Sequence, residues 1–233
     1  TVRLGDTHEE KMASLQDSIT DLQNAMPGLR GLQTDFNSSN LHIGKILIVA
    51  EQINFGYTSS SLWQFPMDIQ VRSGDRIHIS GNNGSGKTTL VKLLLGELEP
   101  TAGTIMRTGF SYLYIDQECS VIDPRLTVFE QTERFNTGNW AEHELKSILN
   151  RYLFPYDTWD KGCACLSGGE KIRLLFCCLM IGNNAPDVFI LDEPTNNLDI
   201  QSVEIITAAI KSYRGTVLLI SHDHYFVKEI KIN

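Results

Sequence analysis

No stretch of the sequence approaches the roughly 18 uninterrupted apolar residues that a helical membrane span requires, and the N-terminal residues lack the charged-then-apolar layout of a signal peptide. An excess of basic residues is also missing. Against 20 Lys and Arg stand 28 Asp and Glu, a formal net charge of -8. This excludes a surface that wraps nucleic acid chiefly by neutralising phosphates, although a local basic patch stays compatible with it. Cysteine is scarce and badly spaced for structural use. Cys119, Cys163, Cys165, Cys177 and Cys178 are odd in number and form no C-x-x-C unit, which fits neither a disulfide framework nor a zinc ribbon. Cys177 and Cys178 lie in the apolar run from Leu174 to Ile181, where free cysteine acts as a small core hydrophobe. These absences predict a soluble protein of a reducing cytoplasm, with no direct membrane insertion.

What is present is enough for one sizeable α/β domain with an appended segment: 233 residues, 42% of them hydrophobic. Met12, Leu15, Ile19, Leu22 and Met26 recur at alternating steps of three and four, a heptad-like stripe on a helix that Thr7 and Glu10 are spaced to cap. Two heptads are too few to hold a coiled coil alone. Pro27, Gly28, Gly31 and the run Asn37-Ser38-Ser39-Asn40 read as a linker, so residues 1–41 form a helical segment and residues 42–233 the main domain. The chain opens at Thr1 without Met, as expected of a fragment or a processed product.

Within the main domain, the β-branched run from Lys45 to Tyr57 and the alternation of Met67, Ile69 and Val71 predict antiparallel, half-exposed strands. Val188-Phe189-Ile190-Leu191 and Val217-Leu218-Leu219-Ile220 are unbroken apolar runs, expected of central parallel strands covered on both faces. Helical patterns over 88–95, 170–181 and 201–213 lie between strands and imply a βαβ core, with functional residues at the carboxyl ends of its parallel strands.

One such end, after a strand over 76–80, carries Gly81-Asn82-Asn83-Gly84-Ser85-Gly86-Lys87-Thr88. In the pattern G-x-x-x-x-G-K-[ST], glycines let backbone N–H groups turn toward phosphate oxygens, the Lys reaches the β/γ-phosphates, and the hydroxyl ligates Mg²⁺. The positive end of the following helix adds to the same field. A second end carries Asp192 and Glu193. Adjacent carboxylates at the end of a buried strand are costly unless a cation or a proton transfer uses them. Asp192 suits the water shell of Mg²⁺ and Glu193 the polarisation of an attacking water, with a solvated acidic turn as the plain alternative. Leu166-Ser167-Gly168-Gly169-Glu170 opens a long apolar helix. Ser167 and Glu170 have capping-box spacing, and the glycines bare amides at a positive helix end, an anion site compatible with the cap.

Residues 166–170 match the LSGGQ/LSGGE signature of the ATP-binding cassette (ABC) superfamily, and over roughly residues 45 to 228 the chain resembles that superfamily. The resemblance implies an α/β fold, an ABC-type P-loop NTPase with a mainly parallel core sheet, an antiparallel β subdomain and a short helical subdomain. It implies an ATPase that uses ATP and Mg²⁺. Tyr57 is similar to the aromatic that stacks on adenine, Thr89 joins the nucleotide-binding loop, and Gln117 matches the glutamine that ligates Mg²⁺ and senses the γ-phosphate. Asp199 matches the loop that crosses the cassette interface, and His222 the switch histidine. Two cassettes are then expected to pair head to tail, in one full-length chain or as a homodimer. Each nucleotide lies between one cassette's phosphate loop and the other's Ser167, Gly168, Gly169 and Glu170.

The run from Leu191 to Asp199, the ending Ser221-His222-Asp223-His224-Tyr225-Phe226 and the short helical insert between Gln117 and Leu166 resemble the ABC-F branch, soluble tandem-cassette proteins acting on ribosomes, including antibiotic-resistance factors. Asn197 stands where that branch commonly has His. The N-terminal heptads then match the end of the helical linker between cassettes, which makes this the second cassette, with ribosome contact carried by parts beyond residues 1–233. The alternatives are the ATP-binding subunit of a membrane transporter, and a module in which ATP controls only pairing.

Overall fold

A computed structural model of the chain describes residues 41–58, 60–116, 118–182 and 185–232. All belong to the compact unit Thr34–Asn233. The linker helix expected over 1–41 lies outside the described residues, Leu41 excepted, and so does Gln117.

Two sheets carry the fold. The first is antiparallel in the order β2–β1–β4, built from β1 (Ile46–Asn54), β2 (Met67–Arg72) and β4 (Ala102–Arg107). It meets the expectation of antiparallel strands over 45–57 and 67–71 and adds β4, which pairs with β1 from Ile48↔Arg107 to Asn54↔Ala102. Both pairings slip around Gln52, a non-glycine residue at φ 51°, whose backbone N–H donates to Asp68 Oδ1 at 2.7 Å and whose amide donates to Oδ2 at 2.6 Å. The bulge therefore has its own side-chain anchor.

The second sheet is parallel, in the order β3–β7–β6–β5, from β3 (Arg76–Ile79), β5 (Tyr112–Ile115), β6 (Val188–Asp192) and β7 (Thr216–Ile220). Every residue of β7 is buried, and all of β6 but Asp192, as unbroken apolar runs demand. Leu47, Ile48, Ile53 and Val71 of the first sheet share one core cluster with Val188, Ile190, Leu218 and Ile220 of the second. Val91 and Leu94 of α1 (Lys87–Leu95) join the same cluster. The helix that follows the phosphate loop is thereby pinned to both sheets.

α2 (Val128–Arg134) and α3 (Glu142–Arg151) form the helical insert and pack on α4 (Gly168–Gly182). α5 (Ile200–Ser212) precedes β7, and a short α6 (His224–Glu229) follows it. Cys163, Cys177 and Cys178 are fully buried. Burial pushes the Cys119 thiol up to about 12 and Cys163 to about 11, so both stay protonated at neutral pH and serve as core hydrophobes.

Arg76 ties these elements together from the first position of β3. Its guanidinium donates to the carbonyls of Ile210 (2.8 Å) and Tyr213 (2.6 Å) at the end of α5, and of Ile230 (2.9 Å) at the end of α6. A cation thus meets two negative helix ends. Arg76→Met should lower unfolding stability by about 2–3 kcal/mol through loss of these charge-assisted bonds. A shift in the urea midpoint checks it, and Arg76→Lys should recover only part, because an ammonium cannot reproduce the fork.

Candidate active site

The parallel sheet brings the ends of β3, β6 and β7 to one edge through its register, with Ile79 opposite Ile220 and Asp192 opposite Ile220 on the other side. At that edge lies an open cleft of about 470 Å³, lined among others by Tyr57, Lys87, Thr88, Thr89, Asp192 and Glu193. All six belong to the predicted set for nucleotide, metal and chemistry, Tyr57 as the base-stacking position.

The loop between β3 and α1 coils tightly. Gly81 sits at φ 151°, a backbone conformation that L side chains rarely adopt, and a Cβ there would stand 2.7 Å from Ser85 Oγ, so the turn favours glycine. The Lys87 ammonium lies over its own loop, donating to the carbonyls of Gly81 (2.8 Å) and Asn82 (3.1 Å). Trp63 supports the turn from behind by donating its indole N–H to the Ser85 carbonyl at 3.0 Å, a role that nothing in the sequence signals. α1 begins without a side-chain cap and without an acidic residue in its first turn. Its first amides and its positive end face the cleft unopposed, which is the condition an anion requires.

Tyr57 is 70% exposed, edge-on to Phe55 with ring centroids 4.9 Å apart, and its hydroxyl shares a 2.9 Å hydrogen bond with Thr89 Oγ1. The ring is held at the cleft from both ends while its face stays open, which suits stacking on a planar base.

Beyond β6 the chain turns at Glu193, whose φ of 50° is uncommon for a non-glycine residue, and the Glu193 N–H donates to the Ile220 carbonyl at 2.8 Å. The turn aims the carboxyl toward the end of β7. There the His222 backbone N–H donates to Glu193 Oε2 at 3.2 Å, and His222 Nε2 lies 3.5 Å from Oε1. The predicted proton acceptor and the predicted switch histidine therefore touch. The adjacent Asp192 receives a hydrogen bond from the Tyr114 hydroxyl at 2.6 Å. Tyr114 is a site neighbour that sequence reasoning missed.

Ser167, Gly168, Gly169 and Glu170 do not line this cleft. They open α4 with the predicted capping box: Ser167 N–H donates to Glu170 Oε2 at 2.7 Å and Glu170 N–H to Ser167 Oγ at 3.2 Å. Lys161 donates to Glu170 Oε1 at 2.9 Å. Burial works against the Glu170 charge, but these bonds outweigh it and hold the carboxyl below its ordinary range. Asp199 caps α5, accepting from Ser202 N–H and hydroxyl, each at 2.8 Å. The two helix starts meet at Gly169, where a Cβ would come within 2.7 Å of both Asp199 Oδ2 and Ser202 Oγ. The sequence reading assigned the paired glycines to amide exposure, and the structure gives Gly169 a packing reason of its own. Gly168 has none, its nearest neighbour being Leu198 Cδ2 at 3.9 Å.

Residues 65–196 match the ABC transporter family model. The chain is 37% identical over 190 residues to ABC transporter F family member 5 of Arabidopsis thaliana, covering 80% of this chain and 27% of that protein. It is 37% identical over 188 residues to ATP-binding protein Uup of Escherichia coli strain K12, covering 79% and 29% respectively. Among solved structures, an archaeal ribosome recycling factor in complex with a ribosomal stalk protein aligns with a TM-score of 0.61 and 27% identity, covering 84% of this chain and 38% of that one. The chain spans under a third of the length of these two curated relatives.

The contrast between the two glycines is testable. Gly169→Ala should displace the Asp199–Ser202 cap and destabilise the fold by about 1–3 kcal/mol, whereas Gly168→Ala should leave thermal unfolding within about 0.5 kcal/mol of the parent. Equal melting temperatures for the two variants would contradict the packing account.

Proposed function

The chain belongs to the ABC transporter family, and from that premise we propose that it is an ATP-binding cassette of the F type whose cleft binds ATP with Mg²⁺ and hydrolyses it to ADP and phosphate. The observation that carries this is the meeting of Lys87, the uncapped start of α1, Asp192 and the Glu193–His222 pair at one sheet edge. In this assignment the loop amides from Gly81 to Gly86 and the Lys87 ammonium hold the β- and γ-phosphates. Tyr57 stacks on the base. Glu193 accepts a proton from the attacking water, and His222, bonded to Glu193, fixes that carboxyl and faces the γ-phosphate side.

The residues also fit a hard divalent cation. The Thr88 hydroxyl and the Asp192 carboxylate both line the cleft, an all-oxygen donor set suited to Mg²⁺, with Gln117 as the expected third member. When bound, Mg²⁺ supplies charge neutralisation to the phosphates.

The signature segment at Ser167 serves a second cassette. Its exclusion from the cleft lining supports this, because its exposed helix start then has no nucleotide of its own. Two cassettes closing head to tail, within one longer chain or between copies, complete two composite sites. We infer further that this is the second cassette of a cytoplasmic F-type protein acting on the ribosome, of the kind that includes antibiotic-resistance factors, with residues 1–41 the end of the interdomain linker. The F-family relatives and the recycling factor bound to a ribosomal stalk protein support that branch, and the acidic charge agrees with a motor whose contact arm lies elsewhere. Among the described residues no helix is long and apolar enough to cross a membrane.

Glu193→Gln should keep nucleotide affinity and lose about 10²–10⁴-fold in turnover, as removal of a positioned base predicts. Steady-state phosphate release paired with nucleotide binding measures both. Turnover at the parental rate would remove Glu193 from the chemistry. Retention of the full-length variant on ribosomes, rather than with a membrane permease, decides between the translation role and a transporter subunit.

A further inference from the structure

Tyr114 is the third residue of β5, paired in register with Ile190 of β6, two residues before Asp192. Its ring packs against the core cluster between the sheets, and its hydroxyl donates to Asp192 Oδ2 at 2.6 Å. That is a short bond of the charge-assisted kind. Asp192 itself lines the same cleft as Thr88.

We propose that Tyr114 is a positioning residue for the divalent cation that accompanies the nucleotide: its hydroxyl engages one oxygen of Asp192 and fixes the rotation of that carboxyl, so that the other oxygen is presented to the metal's water shell. The proposal rests on the assignment of the cleft to ATP and Mg²⁺. Two features support it. The terminal torsion of an aspartate is broad and two-fold, so a carboxyl at a strand end needs an outside partner to hold one orientation. Outer partners of metal-ligating carboxyls orient them and tune metal affinity.

A half-buried phenol also needs a partner for its own sake, and that plain structural role predicts a different outcome. Tyr114→Phe keeps the ring and removes only the hydroxyl. Binding of a fluorescent ATP analogue to the parent and the variant is to be titrated with Mg²⁺ and repeated in EDTA, with thermal unfolding measured on both. The expected result is metal-free affinity within twofold of the parent and a roughly three- to tenfold loss of the Mg²⁺-dependent gain in affinity. An unchanged Mg²⁺ dependence, or an equal fall with and without metal, overturns the proposal while leaving the nucleotide site intact. A parent that shows no Mg²⁺-dependent gain overturns the underlying Mg²⁺ assignment as well, so the two failures are distinguishable.

Discussion

The hydrogen bond from Glu193 N–H to the Ile220 carbonyl extends the β6–β7 ladder one residue beyond β6, and the geometry of the site depends on it. Without that bond, the residue after Asp192 would leave the sheet like any strand-to-loop transition. With it, Glu193 is held at positive φ, its carboxyl turns toward the end of β7, and His222 comes within reach of it. The bond in turn requires β6 and β7 to be central, parallel and in register, which their apolar runs Val188–Leu191 and Val217–Ile220 secure by demanding cover on both faces. A packing constraint thus sets the distance between two chemical groups 29 residues apart in sequence.

Helix starts divide the same way between structure and chemistry. α2, α4, α5 and α6 each satisfy first-turn amides with a side chain of their own, from Thr127, Ser167, Asp199 and Asp223. α3 starts at Ala141 without a side-chain cap but has Glu142 and Glu144 in its first turn, whereas α1 has neither a capping side chain nor an acidic first turn. The energetic consequence is local: amides left without an acceptor at a helix start cost free energy unless water or a ligand serves them. Pinned by Val91 and Leu94 to the core shared by both sheets, α1 tolerates that cost in a way an isolated helix would not. Rigidity supplied by the core is what allows an anion site to stay open.

Much of this was legible in the sequence, for identifiable reasons. The phosphate loop, β6, β7 and the capping box of α4 are local in sequence, and each is specified by spacing or by an unbroken apolar run. β4 was missed because Ala102-Gly103-Thr104-Ile105-Met106-Arg107 is mostly exposed, and such a run lacks the buried alternation that marks a strand. α6 was missed because six residues are too few for a helical period, although the Asp223 cap is plain once the turn is seen. α4 begins two residues earlier than its apolar pattern, since Gly168 and Gly169 carry no hydrophobic signal. Tyr114, Trp63 and the approach of Gly169 to Ser202 were invisible because each is a contact between distant segments.

The two adjoining carboxyls at the end of β6 are given separate anchors. Asp192 is bound from the β5 side by Tyr114, and Glu193 from the β7 side by His222. Adjacent carboxyls left unanchored would share solvent and counterions, and neither would hold a fixed position. Split between opposite neighbours, one is held toward β5 and the other toward the strand end that carries His222, while both still line the cleft. In the proposed ATPase this separation has an electrostatic corollary. The described cleft places the single cation of Lys87 against two carboxyls, and a triphosphate would add further negative charge to a chain already at -8. Binding of the bare anion is therefore opposed by the residues meant to act on it, and Asp192 and Thr88, as the residues that would hold a divalent cation, would let that cation offset the repulsion.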